Sequence, residues 1–132
     1  MKQAKKIFTR MCLNNWGGIN HKILEFHEYV NLFSGKSGSG KTTVMDAIQV
    51  ILYGSFSPSF LNKAADDAKN RRSVLSYLRG EQKDGTANRE GQDFCSQIVL
   101  ELQDTGTKQY VCMGIAFEVR KNDSEIRKFV YF

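Results

Sequence analysis

The sequence predicts one α/β domain spanning residues 1–132, and three observations carry this prediction. Stretches with apolar residues at every second position lie toward both ends of the chain, as in strands. Between them, from Gly40 to Tyr53, the apolar period lengthens to nearly four, as in a helix. A glycine-rich stretch, Gly35 to Gly40, joins the two patterns. With 132 residues of 41% hydrophobic composition, the chain suits one well-buried core better than two.

Charge and cysteine content narrow the class of protein. The net charge is +5, with 25% charged and 11% aromatic residues, which indicates a folded chain that mildly attracts polyanions. The chain has three cysteines, Cys12, Cys95 and Cys112, and no two of them are close in sequence. We therefore expect no disulfide bonds and no Cys-rich zinc site, and we expect a cytoplasmic location. No segment has the pattern of a membrane span or a signal peptide, so no membrane association is expected.

The region before the glycines predicts a small sheet. The stretch "KIFTRMCLNN" alternates loosely, and Trp16-Gly17-Gly18 predicts a turn. In "HKILEF", Ile23 falls on one face and Leu24 and Phe26 fall on the other. The apolar stretch "YVNLF" then leads directly into the glycines.

Two helices are predicted next. The first is apolar on most sides, so we expect it to be buried and to end at Gly54, a favourable C-cap. One side of this helix carries Val44, Ile48 and Ile51 or Leu52, and another carries Thr42, Asp46, Gln49 and Tyr53. Met45, Ala47 and Val50 extend the apolar surface around most of the helix. A second, more exposed helix is predicted to start near Asp66 or Asp67 and to stop at Gly80. The aperiodic stretch 81–93 predicts a mobile surface loop.

The last third returns to a period of two. Residues 98–102 and 111–119 alternate as two strands, and 104–107 predict the hairpin turn between them. A third strand begins near Ile126 and is unfinished at Phe132, as expected for a fragment of a longer chain.

A nucleotide-binding motif occupies the glycine-rich stretch. Gly35, Gly40, Lys41 and Thr42 fit the spacing G-x-x-x-x-G-K-[ST], between an apolar strand and a helix. Glycines allow successive backbone N–H groups to point at phosphate oxygens, and the start of the following helix adds unpaired amides. We therefore expect ATP and Mg²⁺ as cofactors. The predicted binding residues are Gly35, Lys36, Ser37, Gly38, Ser39, Gly40, Lys41, Thr42 and Thr43.

Two residues of this motif have more specific predicted roles. Lys41 would reach the β and γ phosphates and is the expected catalytic residue, and the Thr42 hydroxyl would ligate Mg²⁺. The alternative is a flexible Gly/Ser/Lys tether. Apolar sequence adjoins the glycines on both sides, which argues against a tether.

The stretch "SGKSGSGKTTVMDAIQVILYG" resembles the heads of SMC-like ATPases. Asp46, Ala47 and Gly54 stand where that pattern has an acidic residue, an alanine and a closing glycine. Three other stretches, "MCLNNWGGI", "FLNKAADDAKNRRSVLSYLRG" and "DFCSQIVLELQD", are similar to the SMC-like subunit of Wadjet plasmid-defence systems, the MukB-related JetC type. Ser37 stands where that family usually has asparagine.

The resemblance implies the N-terminal lobe of a split ABC/SMC-type head with a P-loop NTPase fold, a mixed sheet and an antiparallel β subdomain. It places the Walker B residues and the signature loop in the other half, beyond a coiled coil. We therefore expect ATPase activity of the full protein and little hydrolysis by this chain. The implied partners are double-stranded DNA, the C-terminal half of the head, a second head in a homodimer and accessory subunits of a condensin-like complex.

Four further residues have competing interpretations. Glu101 ends an apolar run as a Walker B residue would, but alternation predicts a half-exposed strand position that faces water. His21 and His27 lack a third ligand at suitable spacing, so we interpret them as surface groups rather than zinc ligands. Trp16 either approaches adenine or ribose, as in related heads, or fastens the first turn to the core.

Basic residues suggest a surface for DNA phosphates. Arg79 either faces nucleotide or DNA, or complements the dipole of its helix. The full basic set is Lys2, Lys5, Lys6, Arg10, Lys63, Lys69, Arg71, Arg72, Arg79, Arg120, Lys121, Arg127 and Lys128. The competing interpretation is a set of solvated faces balanced by Asp66, Asp67, Glu118 and Glu125.

Three rival functions remain at this stage. The first is a RecF-like or other DNA-repair ATPase of the same superfamily, which uses the same loop. The second is a small P-loop phosphotransferase such as a nucleotide kinase, which would need a lid and an acceptor site. The third is a nucleotide-dependent binding module without hydrolysis.

Overall fold

The computed structural model describes residues 3–29, 31, 41–53, 74–80, 87–89, 91–121 and 126–132. Its elements are strands β1 (Lys6–Trp16) and β2 (Ile19–Glu25), helices α1 (Lys41–Tyr53) and α2 (Val74–Arg79), and strands β3 (Phe94–Asp104), β4 (Tyr110–Val119) and β5 (Ile126–Tyr131). The first predicted helix, the described end of the second and all three strands of the last third are confirmed. In this part of the chain, no helix has the length and apolarity needed to cross a membrane.

The five strands form one antiparallel sheet in the order β2-β1-β3-β4-β5. Strand β1 pairs on both sides, so Asn14 faces His21 on β2 and Gln97 on β3. The predicted hairpin turn joins β3 to β4, where the Asp104 carboxylate accepts the backbone N–H groups of Gly106 and Thr107 at 2.8 and 3.0 Å. Since every described strand pair is antiparallel, this sheet corresponds to the antiparallel part of the predicted architecture.

One face of the sheet packs against both helices. The buried apolar residues come from β1, β3, β4 and the two helices: Met11, Leu13, Trp16, Val44, Ala47, Val50, Ile51, Tyr77, Leu78, Ile98, Leu100, Ile115, Phe117 and Val119. Burial of each large side chain stabilises the fold by about 1.5–3 kcal/mol. Ile98 and Leu100 are buried while Val99 between them is half-buried, so the predicted face of β3 is confirmed. Likewise Ile23 is exposed, and its neighbour Leu24 packs against the core.

Helix α1 differs from its predicted burial. Met45, Leu52 and Tyr53 are 45%, 51% and 68% exposed, so the expectation of a helix buried on most sides is wrong for these positions. Asp46, which the sequence pattern groups with the polar side, is only 5% exposed. The reason is tertiary, because the sheet and α2 cover the side of α1 that carries Asp46 and leave the opposite side open.

The segment predicted to be a surface loop also differs in part. Within its described residues 87–89 and 91–93, Arg89 is 4% exposed and donates to several buried carbonyl groups. The predicted strand at "YVNLF", apart from Tyr29 and Asn31, lies outside the described residues. The same holds for the glycine stretch before Lys41 and for the predicted N-cap of the second helix.

Candidate nucleotide site

Helix α1 begins at Lys41, directly after the last glycine of the predicted phosphate loop. Its first turn contains no acidic residue, so nothing there opposes the positive end of the helix dipole. With 13 residues, the helix is long enough for that dipole to develop. The predicted residues Gly35, Lys36, Ser37, Gly38, Ser39 and Gly40 lie outside the described residues, as do the side chains of Lys41 and Thr42. Thr43 is half-buried.

Trp16, the last residue of β1, is attached to this first turn. Its indole N–H donates a hydrogen bond to the Thr43 carbonyl at 2.9 Å. The ring is fully buried, stacked near Phe117 with centroids 6.3 Å apart and edge-on to Tyr77 at 5.0 Å. A ring with no exposed surface has no face to offer a nucleotide base. Of the two interpretations of Trp16, the geometry therefore supports the one in which it fastens the turn to the core.

Gly17 follows Trp16 and lies against the same helical turn. Its φ is +54°, and a Cβ built on it would lie 2.9 Å from Cγ2 of Thr43. Both facts require glycine here, because a side chain would be strained in conformation and would push the helix away. The β1–β2 turn and the start of α1 are thus in direct contact.

Asp46 lies one helical turn beyond Thr42 and is held from α2. The Tyr77 hydroxyl donates to Asp46 Oδ2 at 3.1 Å in a buried setting. A buried carboxylate needs such donors, because leaving it uncompensated is strongly destabilising. The hydrogen bond between Tyr77 and Asp46 therefore holds α2 against α1, one helical turn after the predicted Mg²⁺ ligand.

Arg89 was missed by the sequence reasoning and joins several main-chain segments at the site. Its guanidinium donates to the Gly17 and Ile19 carbonyls at 2.8 Å each, and to the Leu78 carbonyl at 2.6 Å. Burial lowers the pKa of Arg89 from its ordinary value, although a guanidinium stays charged at neutral pH. No local signal marks this residue, since an arginine in an aperiodic stretch normally indicates surface.

Glu101 lies on the opposite face of the sheet from the helices. Neighbouring Leu100 is buried beneath α1 and α2, and alternation turns Glu101 to the outer side. Arg10 binds its carboxylate through two contacts at 3.0 and 2.9 Å, and the Thr9 hydroxyl donates to it at 2.9 Å. These hydrogen bonds, the one from Arg10 first, lower the pKa of Glu101. The predicted half-exposed position on the outer face is confirmed, and the ion pair with Arg10 adds to it. This face is turned away from α1, which argues against a Walker B role.

The three remaining residues that the sequence singled out, His21, His27 and Arg79, lie at separate places in the structure. His21 lies on β2 with Nδ1 2.6 Å from Oδ1 of Asn14, and His27 is held through its backbone by Asn31 after that strand. In the described ranges, no group of three or more potential metal-ligating side chains occurs. The Arg79 guanidinium donates to the Lys121 carbonyl at 3.4 Å.

Several basic residues form ion pairs within the protein. Lys6 contacts Asp104 at 3.4 Å, Arg10 contacts Glu101 at 2.9 Å and Arg120 contacts Glu118 at 3.2 Å. Arg127 and Lys128 are exposed on the edge strand β5. Lys5 and Lys121 are also exposed, and Lys2, Lys63, Lys69, Arg71 and Arg72 lie outside the described residues. For three of the basic residues, the interpretation as balanced surface charge is supported.

Comparisons with known proteins support a P-loop region in the first half of the chain. A family model described as the P-loop containing region of AAA domain matches residues 8–68. The SbcC component of the nuclease SbcCD from Staphylococcus haemolyticus is 39% identical over 74 residues, covering 53% of this chain and 6% of the relative. The DNA replication and repair protein RecF of Francisella tularensis subsp. mediasiatica is 26% identical over 105 residues, covering 76% of this chain and 30% of the relative. The chain thus spans less than a third of the length of these curated relatives.

A solved structure gives the fold over nearly the whole chain. It comes from work on the "Structural biochemistry of ATP-driven dimerization and DNA stimulated activation of SMC ATPases". The superposition has a TM-score of 0.56 at 14% identity and covers 94% of this chain and 69% of that one. The chain has the P-loop NTPase fold of an SMC-type ATPase head, and helix α1 directly follows the predicted phosphate loop. The predicted fold class is confirmed.

Proposed function

We propose that this chain is the N-terminal, ATP- and Mg²⁺-binding lobe of an SMC-like ATPase head that acts on DNA. The observation that carries the proposal is the start of α1 at Lys41, at the end of a G-x-x-x-x-G-K-T motif and clamped by Trp16. A phosphate loop needs a rigid helix N-terminus, because its amides bind an anion strongly only when they stay in position. The hydrogen bond from Trp16 to the Thr43 carbonyl in the first turn of α1 supports the proposal.

The residues that would hold the nucleotide are those of the motif. Backbone amides from Gly35 to Thr43 would bind the phosphates, Lys41 would neutralise charge on the β and γ phosphates, and Thr42 would ligate Mg²⁺. A first turn without acidic residues fits such an anion. Bound Mg²⁺ would supply charge neutralisation between the phosphates. Phosphoryl transfer also requires a group that orients water, which we assign to the other half of the head, so this chain alone should hydrolyse little.

A finer assignment is the JetC type of Wadjet plasmid-defence systems. It rests on the similarity of the block from Leu61 to Gly80 and of the "MCLNNWGGI" stretch. In that assignment, the partners are the C-terminal half of the head, a second head and accessory subunits. The work on the SMC structure concerns ATP-driven dimerisation, which favours a second head as partner.

The test is nucleotide binding by the isolated chain. Mg·ATP binding, measured by titration calorimetry, should weaken more than about tenfold in Lys41→Ala because a charge-assisted phosphate contact is lost. Lys22→Ala, which removes an exposed lysine of β2, is the matched control and should bind as the parent does. Equal affinity in the parent and Lys41→Ala would contradict the proposal. Robust hydrolysis that is lost on Lys41→Ala would contradict the assignment as half of a head.

A RecF-like repair ATPase is the second candidate. It is favoured by the similarity to two RecF proteins, from Francisella tularensis subsp. mediasiatica and from Bifidobacterium adolescentis, the latter 32% identical over 47 residues that cover 36% of this chain and 12% of the relative. A gene sequence that continues into a long heptad-patterned region would favour the SMC-like assignment, whereas a short connection would favour RecF.

DNA binding in the full assembly would use exposed basic residues. Lys5, Lys121 and Arg127 are exposed candidates that lie outside the ion pairs at Lys6, Arg10 and Arg120. Binding to double-stranded DNA through phosphates should weaken by at least about tenfold between roughly 50 and 200 mM salt. Binding that is insensitive to salt would contradict this role.

A further inference from the structure

We infer that Trp16 is a positioning residue for the nucleotide site and that Arg89 locks it in place. This inference rests on the proposed nucleotide binding. The indole N–H reaches the Thr43 carbonyl at 2.9 Å, within the turn whose amides would face the phosphates. The ring itself is buried, so Trp16 acts on the ligand only through the backbone of that turn.

The geometry makes the turn between β1 and β2 a rigid support. Gly17 lies so close to Thr43 that a Cβ at position 17 would come within 2.9 Å of its methyl group. The turn therefore touches the first turn of α1 at two consecutive residues, through a hydrogen bond from Trp16 and through van der Waals contact at Gly17. A displacement of the turn would move the helix start with it.

Arg89 holds that turn from the other side. One guanidinium nitrogen donates to both the Gly17 and Leu78 carbonyls, and a second donates to Ile19. The Gly17 carbonyl lies in the turn and the Ile19 carbonyl at the start of β2, while the Leu78 carbonyl belongs to the last residues of α2. Since a guanidinium is planar and its N–H groups are fixed relative to one another, it sets the position of the turn relative to α2.

The connection continues through α2 to the next turn of α1. Tyr77 lies edge-on to the Trp16 ring at 5.0 Å and donates to Asp46 at 3.1 Å. The start of α1 is thus held at Thr43 by Trp16 and at Asp46 by Tyr77, and Arg89 joins the two supports. Nucleotide bound at the amides before Thr43 should therefore be sensed at the indole, and loss of the indole N–H should loosen the site.

The first experiment uses the fact that Trp16 is the only tryptophan of the chain. Its single indole N–H resonance in a ¹⁵N-correlated NMR spectrum is expected to shift on titration with Mg·ADP, in parallel with the amides of Gly35 to Thr43. Loop amides that shift while the indole resonance stays fixed at saturation would overturn the inference and leave the proposed function intact. Loop amides that do not shift at all would instead overturn the proposed function.

The second experiment separates positioning from stability. Trp16→Phe keeps an aromatic ring but removes the N–H, and we expect Mg·ADP affinity about fivefold weaker, the typical loss for one hydrogen bond. The control is Phe8→Leu, which weakens the ring contact with Phe26, 5.8 Å away near the other end of β1. Affinities are compared at a temperature where both variants are more than about nine-tenths folded, as the two-state transition allows.

A purely structural role would give a different result. If Trp16 only stabilised the fold, the Trp16→Phe and Phe8→Leu variants would bind Mg·ADP equally well whenever their melting temperatures are equal. That result would overturn the inference. Arg89→Lys provides the independent variant, because it keeps the charge but cannot reach all three carbonyls. It should weaken Mg·ADP binding in the same direction as Trp16→Phe, and unchanged binding in both variants would also overturn the inference.

Discussion

Replacement of Arg89 is the perturbation whose energetic effect follows most directly from the structure. Its three hydrogen bonds to main-chain carbonyls, at 2.6 to 2.8 Å, come from a charged donor. Each such bond contributes about 1.5–3 kcal/mol. Removal of the guanidinium also removes the cost of burying its charge, so the net loss in Arg89→Ala is expected to be roughly 3–5 kcal/mol.

That loss is large for a domain of this size. Unfolding free energies are typically about 5–15 kcal/mol, so Arg89→Ala should be close to unfolded at room temperature if the parent lies at the lower end of that range. Arg89→Lys keeps the charge but can reach only one carbonyl, so it loses two of these bonds and should lose about 3 kcal/mol or more. Both are measured by urea denaturation followed through the emission of Trp16, the only tryptophan.

An exposed arginine is the control for this prediction. Arg120 forms an ion pair with Glu118 at 3.2 Å on the surface, so Arg120→Ala should change the unfolding free energy by less than about 1 kcal/mol. A loss below about 1 kcal/mol in Arg89→Ala would refute the reasoning, because three buried carbonyls cannot lose a charged donor at so small a cost.

The other two predictions concern Tyr77 and Glu101. Tyr77→Phe removes the donor to buried Asp46 and should lower the unfolding free energy by about 1–2 kcal/mol in urea denaturation, and an unchanged value would show that the bond contributes nothing. The pKa of Glu101 is lowered by Arg10, so its contribution is complete above the usual value of about 4.5 and is lost as the pH falls through the lower folded-state pKa. Glu101→Gln should therefore destabilise at about pH 7 by less than about 1 kcal/mol and converge with the parent near pH 2, and a constant difference across this range would contradict the assignment.

The parts of the fold that the sequence predicted are those with local causes. The stop of α2 at Gly80 and the hairpin at residues 104–107 both contain local hydrogen bonds, from the Gly80 N–H to the Tyr77 carbonyl and from the Gly106 and Thr107 N–H groups to Asp104. Gly80, for example, has a φ of +75°, which glycine adopts without strain because it has no Cβ. The alternation in β3 likewise follows from the period of a strand, which assigns faces before any partner is known.

The candidate site could be predicted only as a motif. The spacing from Gly35 to Thr42 predicts a phosphate loop by composition and order, since each residue type has its own part in binding phosphate. What supports the loop was not visible, because the partners are distant in sequence. Trp16 and Thr43 are 27 residues apart, Tyr77 and Asp46 are 31 apart, and Arg89 and Gly17 are 72 apart.

The sequence by itself therefore predicted a phosphate loop and determined the order of helices and strands and which strand face is apolar. Only the tertiary structure decided that Asp46 is buried, that Arg89 is a clamp and that Glu101 forms an ion pair with Arg10. The physical reason is that hydrogen bonds to main-chain carbonyls and ion pairs between strands depend on where separate elements meet. A one-dimensional pattern records the polarity of a residue but not the atoms that the folded chain brings to it.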